Sequence, residues 1–302
     1  MLFRSEQHRF GVMQRSALQE RGQENPHTLI MSATPIPRTL SLTLFGDLDI
    51  STIDEMPAGR QKVATTWLEP EQRDTAYGFI RKQVEEGRQA FVVCPLVDES
   101  ETIESKAATE EYQRLSQDIF PDLSLGLLHG RMPGKEKDKV MRQFRDGELD
   151  ILVTTPVVEV GIDVANATVM MIDGADRFGL AQLHQFRGRV GRGEHKSYCI
   201  LMSDTNSETA KERLSALARI HDGFQLAEVD LELRGPGDFF GTRQSGLPSL
   251  KMAHISDREL LELARNEATM LMEEDPDLEQ PEHAAIAAQV ARFVDQASAN
   301  VA

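Results

Sequence analysis

The stretch QFRGRVGRGEHKSYCILM, residues 185–202, joins a glycine-rich basic turn to an apolar run. Arg189 and Arg192 stand three residues apart, and Gly188, Gly191 and Gly193 around them keep side-chain crowding low. Two planar guanidinium forks can then address one oxyanion cluster, as charge developing on a γ-phosphate requires. The following run, SYCILM at 197–202, reads as a buried strand, the last of a series. TLIMS (28–32), AFVVC (90–94), LGLLH (125–129), DILVTT (150–155) and VMMID (169–173) have the same character. Between them, DTAYGFIRKQVEEG (74–87) and KEKDKVMRQFRDG (135–147) carry helical periodicity, the second placing Val140, Met141 and Phe144 on one face before Gly147. Strands alternating with helices predict an α/β fold with a mostly parallel sheet covered on both faces.

The pattern changes after Asp204. SETAKERLSALARI, with Leu214, Leu217 and Ile220 at helical spacing, His221-Asp222-Gly223 as a turn and FQLAEVDLELRG together predict a helical hairpin. An irregular glycine-rich segment, RGPGDFFGTRQSG, comes next. Ser256-Asp257 caps a helix running towards Glu273, and six carboxylates in 273–282 read as a solvated acidic joint before a last helix near 282–297.

A chain of 302 residues allows about two domains by the usual prior. Its 49 acidic against 33 basic residues give a net charge of −16, which excludes a diffuse basic surface for nucleic acid and confines any DNA contact to a local patch. Cys94 and Cys199 each sit in an apolar run, as buried free thiols do. MLFRSEQHRF lacks the apolar core of a signal peptide, and no stretch approaches the roughly 18 apolar residues of a membrane span. A soluble, cytoplasmic protein with no membrane partner is expected.

The spacing Gln185-x-x-Gly188-Arg189-x-Gly191-Arg192 resembles motif VI of superfamily 2 helicases. SATPIPRTL (32–40) resembles motif III, whose hydroxyls, here Ser32 and Thr34, connect a nucleotide site to a DNA site. TTPVVEVGID (154–163) resembles motif V: Thr155 matches a position contacting a DNA phosphate, while Gly161 and Asp163 match positions facing the nucleotide and its ribose. His129-Gly130, between a strand and a helix, could present amides to a backbone phosphate. With EQHRFGV (6–12), FGDLDISTIDEMPAGR (45–60), LHGRMPGKEKDKVM (128–141), FGLAQLHQFRGRVGRG (178–193) and LRGPGDFFGTRQSG (233–246), the chain resembles the RecG family from about residue 6 to 255. That family comprises ATP-dependent DNA translocases that remodel stalled forks and branched recombination intermediates.

The resemblance implies a RecA-like second lobe followed by the family's TRG element, a hairpin and loop that couple lobe movement to travel along duplex DNA. Its functional positions match Arg213, Arg234 and Gln244. It also implies a division into a first-lobe remnant (1–60), a second lobe (61–203) and a hairpin with C-terminal helices (204–302). Arg189, Arg192 and Glu6 match catalytic positions, and Gln185 a nucleotide-binding one. The family carries Asp-Glu-Gln-His at motif II; here the sequence reads Ser5-Glu6-Gln7-His8, and serine has no charge to hold Mg²⁺. No G-x-x-x-x-G-K-[ST] occurs in these 302 residues, and no OB-fold wedge is present. The expectation is therefore the C-terminal portion of a RecG-type protein, using ATP and Mg²⁺ and acting on branched or forked DNA only with the missing lobe and wedge. By itself it should bind no cofactor tightly, have no ATPase activity, provide no metal ligand set and be prone to self-association through the first-lobe remnant. The alternative is a non-catalytic DNA- or protein-binding module derived from a helicase lobe.

Overall fold

A strand buried on both faces has to be apolar throughout, whereas an edge strand alternates. The structure, a computed structural model, follows that rule, and it describes residues 2–4, 28–35, 50–55, 60–94, 101–156, 164–234 and 258–299. Two short strands, β1 (Leu2–Arg4) and β2 (Thr28–Ile30), pair in parallel, with Leu2 opposite Thr28. A six-stranded sheet comprises β3 (Ala64–Leu68), β4 (Gln89–Val93), β5 (Leu125–Leu128), β6 (Ile151–Thr154), β7 (Ala167–Ile172) and β8 (Tyr198–Met202). Its spatial order is β3-β8-β7-β4-β6-β5, and every neighbouring pair is parallel. Every residue of β4, β6 and β7 is buried; edge strands β3 and β5 are only half covered.

The helices supply the two coverings. On one face Ala76, Tyr77 and Ile80 from α1 (Arg73–Glu85), with Ala108 from α2 (Glu101–Arg114) and Leu115 and Phe120 just beyond it, pack on Ala90, Val92, Ile151, Val153, Val169 and Met171. On the other, Phe144 of α3 (Gly134–Arg145) lies against Phe91, ring centroids 5.0 Å apart. Buried Gln89 holds the end of α3 to the sheet, its Nε2 donating to the carbonyls of Phe144 (2.6 Å) and Leu149 (2.7 Å). Among the described residues five further helices follow: α4 (Leu180–Arg187), α5 (Glu208–Arg219), α6 (Gly223–Arg234), α7 (Arg258–Glu274) and α8 (Ala284–Ala299). Helices α5 and α6 occupy the two segments read as helical after Asp204: Ser207 Oγ accepts from Ala210 N at the start of α5, and Asp222 Oδ1 accepts from Gln225 N (2.9 Å) at the start of α6.

Contacts divide the molecule into two compact units. One takes Met1–Pro35 and Asp54–Leu226, the other Ile36–Ile53 and Ala227–Ala302. The expected solvated joint after α7 contains a buried carboxylate. Asp275 accepts from the amides of Glu279 and Gln280 (both 3.0 Å) and pairs with His283 Nδ1 at 2.7 Å. The His283 imidazole beside it holds the carboxyl below the usual carboxylate range. Cys94 and Cys199 are buried free thiols; burial pushes Cys199 up to about 12 and Cys94 upward as well. Among the described residues no helix is long and apolar enough to cross a membrane.

Phe144 is completely buried against Phe91, so Phe144→Ala leaves a cavity that should cost about 3–5 kcal/mol. Phe144→Leu should cost less than half as much. Urea unfolding followed by the fluorescence of Trp67, the chain's one tryptophan, checks both.

Candidate functional site

Loops following parallel strands meet at one edge of the sheet, and there the chain turns into α4. Leu180, Leu183 and Phe186 of α4 are buried, and Phe186 meets Phe178 edge-on at 5.4 Å. The helix ends where Gly188 N donates back to His184 O (3.0 Å) and Arg189 N to Phe186 O (2.9 Å). The glycines of the arginine loop are there for space as well as freedom. Gly191 has φ +76°, and a Cβ on it would lie 3.0 Å from Val63 Cγ2; one on Gly193 would lie 2.6 Å from the Ala165 carbonyl oxygen. Residues 60 and 61 grip the loop at both ends: Arg60 Nη2 donates to Gly188 O (2.8 Å) and Gln61 Nε2 to Glu194 O (3.0 Å). Arg192 is exposed and its Nε donates to the same Gly188 carbonyl (3.2 Å), while Arg189 is partly buried.

Gln185, two residues before the end of α4, donates from Nε2 to Thr34 Oγ1 at 2.8 Å. Thr34 N in turn donates to Ser32 Oγ (3.2 Å). The structure thus joins a residue expected at the nucleotide to the pair expected to relay towards DNA. Thr155 is buried just past β6, its amide donating to Leu128 O (3.2 Å). His129 follows β5, and its amide points at Met132 Sδ, 3.4 Å away. Its Nδ1 is buried without a hydrogen-bond partner, and burial, with Lys137 and Arg131 nearby, lowers its pKa. The described residues bring His129 and Thr155 to the same sheet edge, on the neighbouring strands β5 and β6.

Arg213 lies on α5 but does not lie on a solvated face. Its Nη1 reaches Phe178 O (3.4 Å) and its Nη2 Asp176 O (3.2 Å), the turn that leads into α4. Glu6, Gly161, Asp163 and Gln244 lie outside the described residues, and Arg234 is described only as the last backbone position of α6. A residue not singled out in the sequence is the most fully engaged of all. Arg187 is 4% exposed and donates from Nη1 to Leu217 O (2.7 Å) and Ile220 O (2.8 Å), and from Nη2 to His184 Nδ1 (2.9 Å) and His221 O (3.3 Å). The only hint was its place on the i, i+3, i+7 stripe of Leu180 and Leu183, where an apolar residue belongs.

Two family models match the chain. The helicase conserved C-terminal domain matches residues 72–194, and domain 3, C-terminal, of the ATP-dependent DNA helicase RecG matches residues 220–301. The chain is 50% identical over 287 residues to the ATP-dependent DNA helicase RecG of Bacillus subtilis (strain 168), covering 95% of this chain and 42% of that protein. Against the RecG of Synechocystis sp. the identity is 52% over 275 residues, covering 91% and 33%. The chain belongs to the RecG family. A solved structure of RecG bound to a three-way DNA junction superposes with a TM-score of 0.64 at 45% identity, covering 86% of this chain and 33% of that one. The chain therefore spans a third to about two fifths of the length of these RecG relatives. The all-parallel sheet with helices on both faces is the RecA-like C-terminal lobe of helicases.

In this RecG-type lobe Arg187 fixes the protonation state of its neighbour. A guanidinium only donates, so His184 Nδ1 must accept and the ring carries its proton on Nε2. Burial first, then the Arg187 and Arg60 charges, lowers the His184 pKa from 6.5 to about 4, against a smaller opposing pull from Asp222. A depressed histidine pKa favours the neutral form in the folded state, and the unfolded chain takes up the proton first. The stability it contributes is fully present above pH 6.5 and is lost as pH falls towards 4. Between pH 7 and pH 5 this amounts to about 2 kcal/mol. His184→Gln, which keeps an acceptor without a titration, should remove that part of the pH dependence when urea unfolding is compared at the two pH values.

Proposed function

We propose that the chain provides the second motor lobe and coupling hairpin of a RecG-type ATP-dependent DNA helicase that remodels stalled forks and branched recombination intermediates. The observation that carries this reading is the arginine loop held between Arg60, Gln61 and α4, with Gln185 bonded to Thr34. A loop gripped at both ends presents Arg189 and Arg192 with little freedom left to lose. Charge developing on a transferred phosphoryl group is stabilised best by donors that need no reorganisation. The two guanidinium groups fit that task. The metal does not find its match in this sequence, because Ser5 stands where a carboxylate would hold Mg²⁺. ATP, when bound, would supply the phosphoryl group, and Glu6 is the residue proposed to polarise the attacking water.

In this reading residues 1–60 belong to the first lobe, 61–203 form the second, and 204–302 form the hairpin and C-terminal region. Gly161 and Asp163 face the nucleotide and ribose. Ser32, Thr34, His129 and Thr155 form the route from nucleotide to DNA phosphate, and Arg213, Arg234 and Gln244 convert lobe rotation into movement along duplex. Branched DNA is the proposed partner, in line with the three-way junction held by the solved RecG relative. A net charge of −16 restricts that contact to local patches. The protein is proposed to be cytoplasmic, and the first-lobe segment to favour self-association in the isolated chain.

The 302 residues alone should hydrolyse ATP at background rate with or without forked DNA. In a full-length RecG carrying this sequence as its C-terminal part, Arg189→Ala should lower DNA-stimulated hydrolysis by roughly 10³-fold. Arg234→Ala in the same protein should leave much of the hydrolysis while severely reducing fork unwinding at saturating DNA. Robust turnover by the isolated chain that disappears with Arg189→Ala would overturn the division of the site between two lobes.

A further inference from the structure

A buried guanidinium normally faces a carboxylate, because taking a charge out of water is costly. Arg187 has none among its hydrogen-bond partners in the described residues. Burial lowers its pKa, and the compensation comes from the carbonyls of Leu217, Ile220 and His221 together with the His184 imidazole. Those carbonyls are the last of α5 and the first of the hairpin turn, the negative end of the helix dipole. A leucine would fill the same stripe on α4 without the desolvation cost, so packing alone does not account for an arginine here.

The neighbours of Arg187 on α4 point to what it does. One residue on, the Gly188 carbonyl receives both Arg60 and Arg192; two residues back, Gln185 holds Thr34. At the other end of the hairpin turn, a Cβ on Gly223 would lie 2.7 Å from Pro35 Cγ and 2.9 Å from His184 Nε2. Gly223 is thus seated against both His184 of α4 and Pro35. Arg213 grips in the opposite sense, from α5 to the carbonyls of Asp176 and Phe178 ahead of α4. Arginines reaching backbone carbonyls thus tie the middle of α5 to the turn ahead of α4 and the end of α4 to the end of α5, and the tie at Arg187 adjoins the loop that carries Arg189 and Arg192.

We propose that Arg187 is a positioning residue: its fork fixes the end of hairpin helix α5 to the root of the arginine loop, so that neither moves without the other. This rests on the reading of Arg189 and Arg192 as phosphate-facing groups and of the hairpin as the coupling element. A planar fork with several donors at fixed angles is required; the ammonium of lysine, a point charge on a flexible stem, cannot span these four acceptors.

The test uses the full-length RecG carrying this sequence and reads fork unwinding per ATP hydrolysed at saturating forked DNA. Arg187→Lys keeps the charge and Arg187→Met keeps the apolar stem; each should keep hydrolysis within about threefold and lower the ratio by about tenfold, as losing charge-assisted hydrogen bonds at a joint would. Gly223→Ala, which leaves Arg187 untouched but crowds His184 Nε2 and Pro35 Cγ, should lower the ratio in the same direction. A purely structural role would lower melting temperature and both activities in proportion, and an unchanged ratio in Arg187→Lys overturns the proposal. So does a failure of Arg187→Lys to fold, since the residue would then serve folding alone. Arg189→Ala in parallel separates the two readings: if it leaves hydrolysis intact, the assignment of the arginine loop fails, whereas loss of hydrolysis there with an unchanged ratio in Arg187→Lys sinks only the joint.

Discussion

Parallel strands cannot be joined by tight turns, and each return passes through a crossover on one face of the sheet. That constraint governs the six-stranded lobe. It puts the ends of all six strands at one edge, where Thr155 follows β6, His129 follows β5 and Asp173 follows β7. Asp173 shows how firmly that edge is built: both its carboxylate oxygens accept from Arg73, at 2.7 and 2.9 Å, which locks the start of α1 to the end of β7. A rigid rim of this kind holds the loops above it in place.

The charge economy within the lobe divides its arginines into two kinds. Arg73 pairs with Asp173 and Arg81 with Asp122, both reaching from α1 to other elements, and Arg114 pairs with Glu111 within α2. Arg187 and Arg213 instead seek backbone carbonyls, and Arg60 and Arg192 meet on the single carbonyl of Gly188. In a chain with 49 acidic residues the lack of a carboxylate in the Arg187 hydrogen-bond set is not for want of supply. Carbonyls report where a backbone is, and a guanidinium bonded to them follows the backbone.

What the sequence disclosed tracks how completely each element is buried. Strands β4, β5, β6, β7 and β8 were legible because each carries a short run of mostly apolar residues. Strand β3, ATTWL, was not, because as an edge strand it mixes threonine with apolar residues; β1 is only three residues and includes an arginine. Helix α2 escaped notice because Glu101–Arg114 is mostly polar, and among its described side chains only Ala108 is fully buried. The arginine loop was legible from its glycines and spacing, but the role of Arg187 was not, since a buried arginine and a solvated one look alike until the carbonyls around them are known. Asp275 is the same lesson in an acidic run: six carboxylates suggest water, yet one of them turns inward to hold the α7–α8 connection.

The two thiols have a practical bearing on how motion in this lobe can be watched. Cys94 and Cys199 are both buried, and burial keeps them protonated far above neutral pH, so the thiolate that attacks maleimides is scarcely formed. The native cysteines need not be removed before a reporter is attached. A single cysteine introduced at exposed Glu212 on α5 and another at exposed Glu194 beside the arginine loop would take a fluorophore pair selectively. Whether the distance between α5 and the loop stays fixed could then be followed one molecule at a time, in a protein whose own sulfur chemistry stays silent.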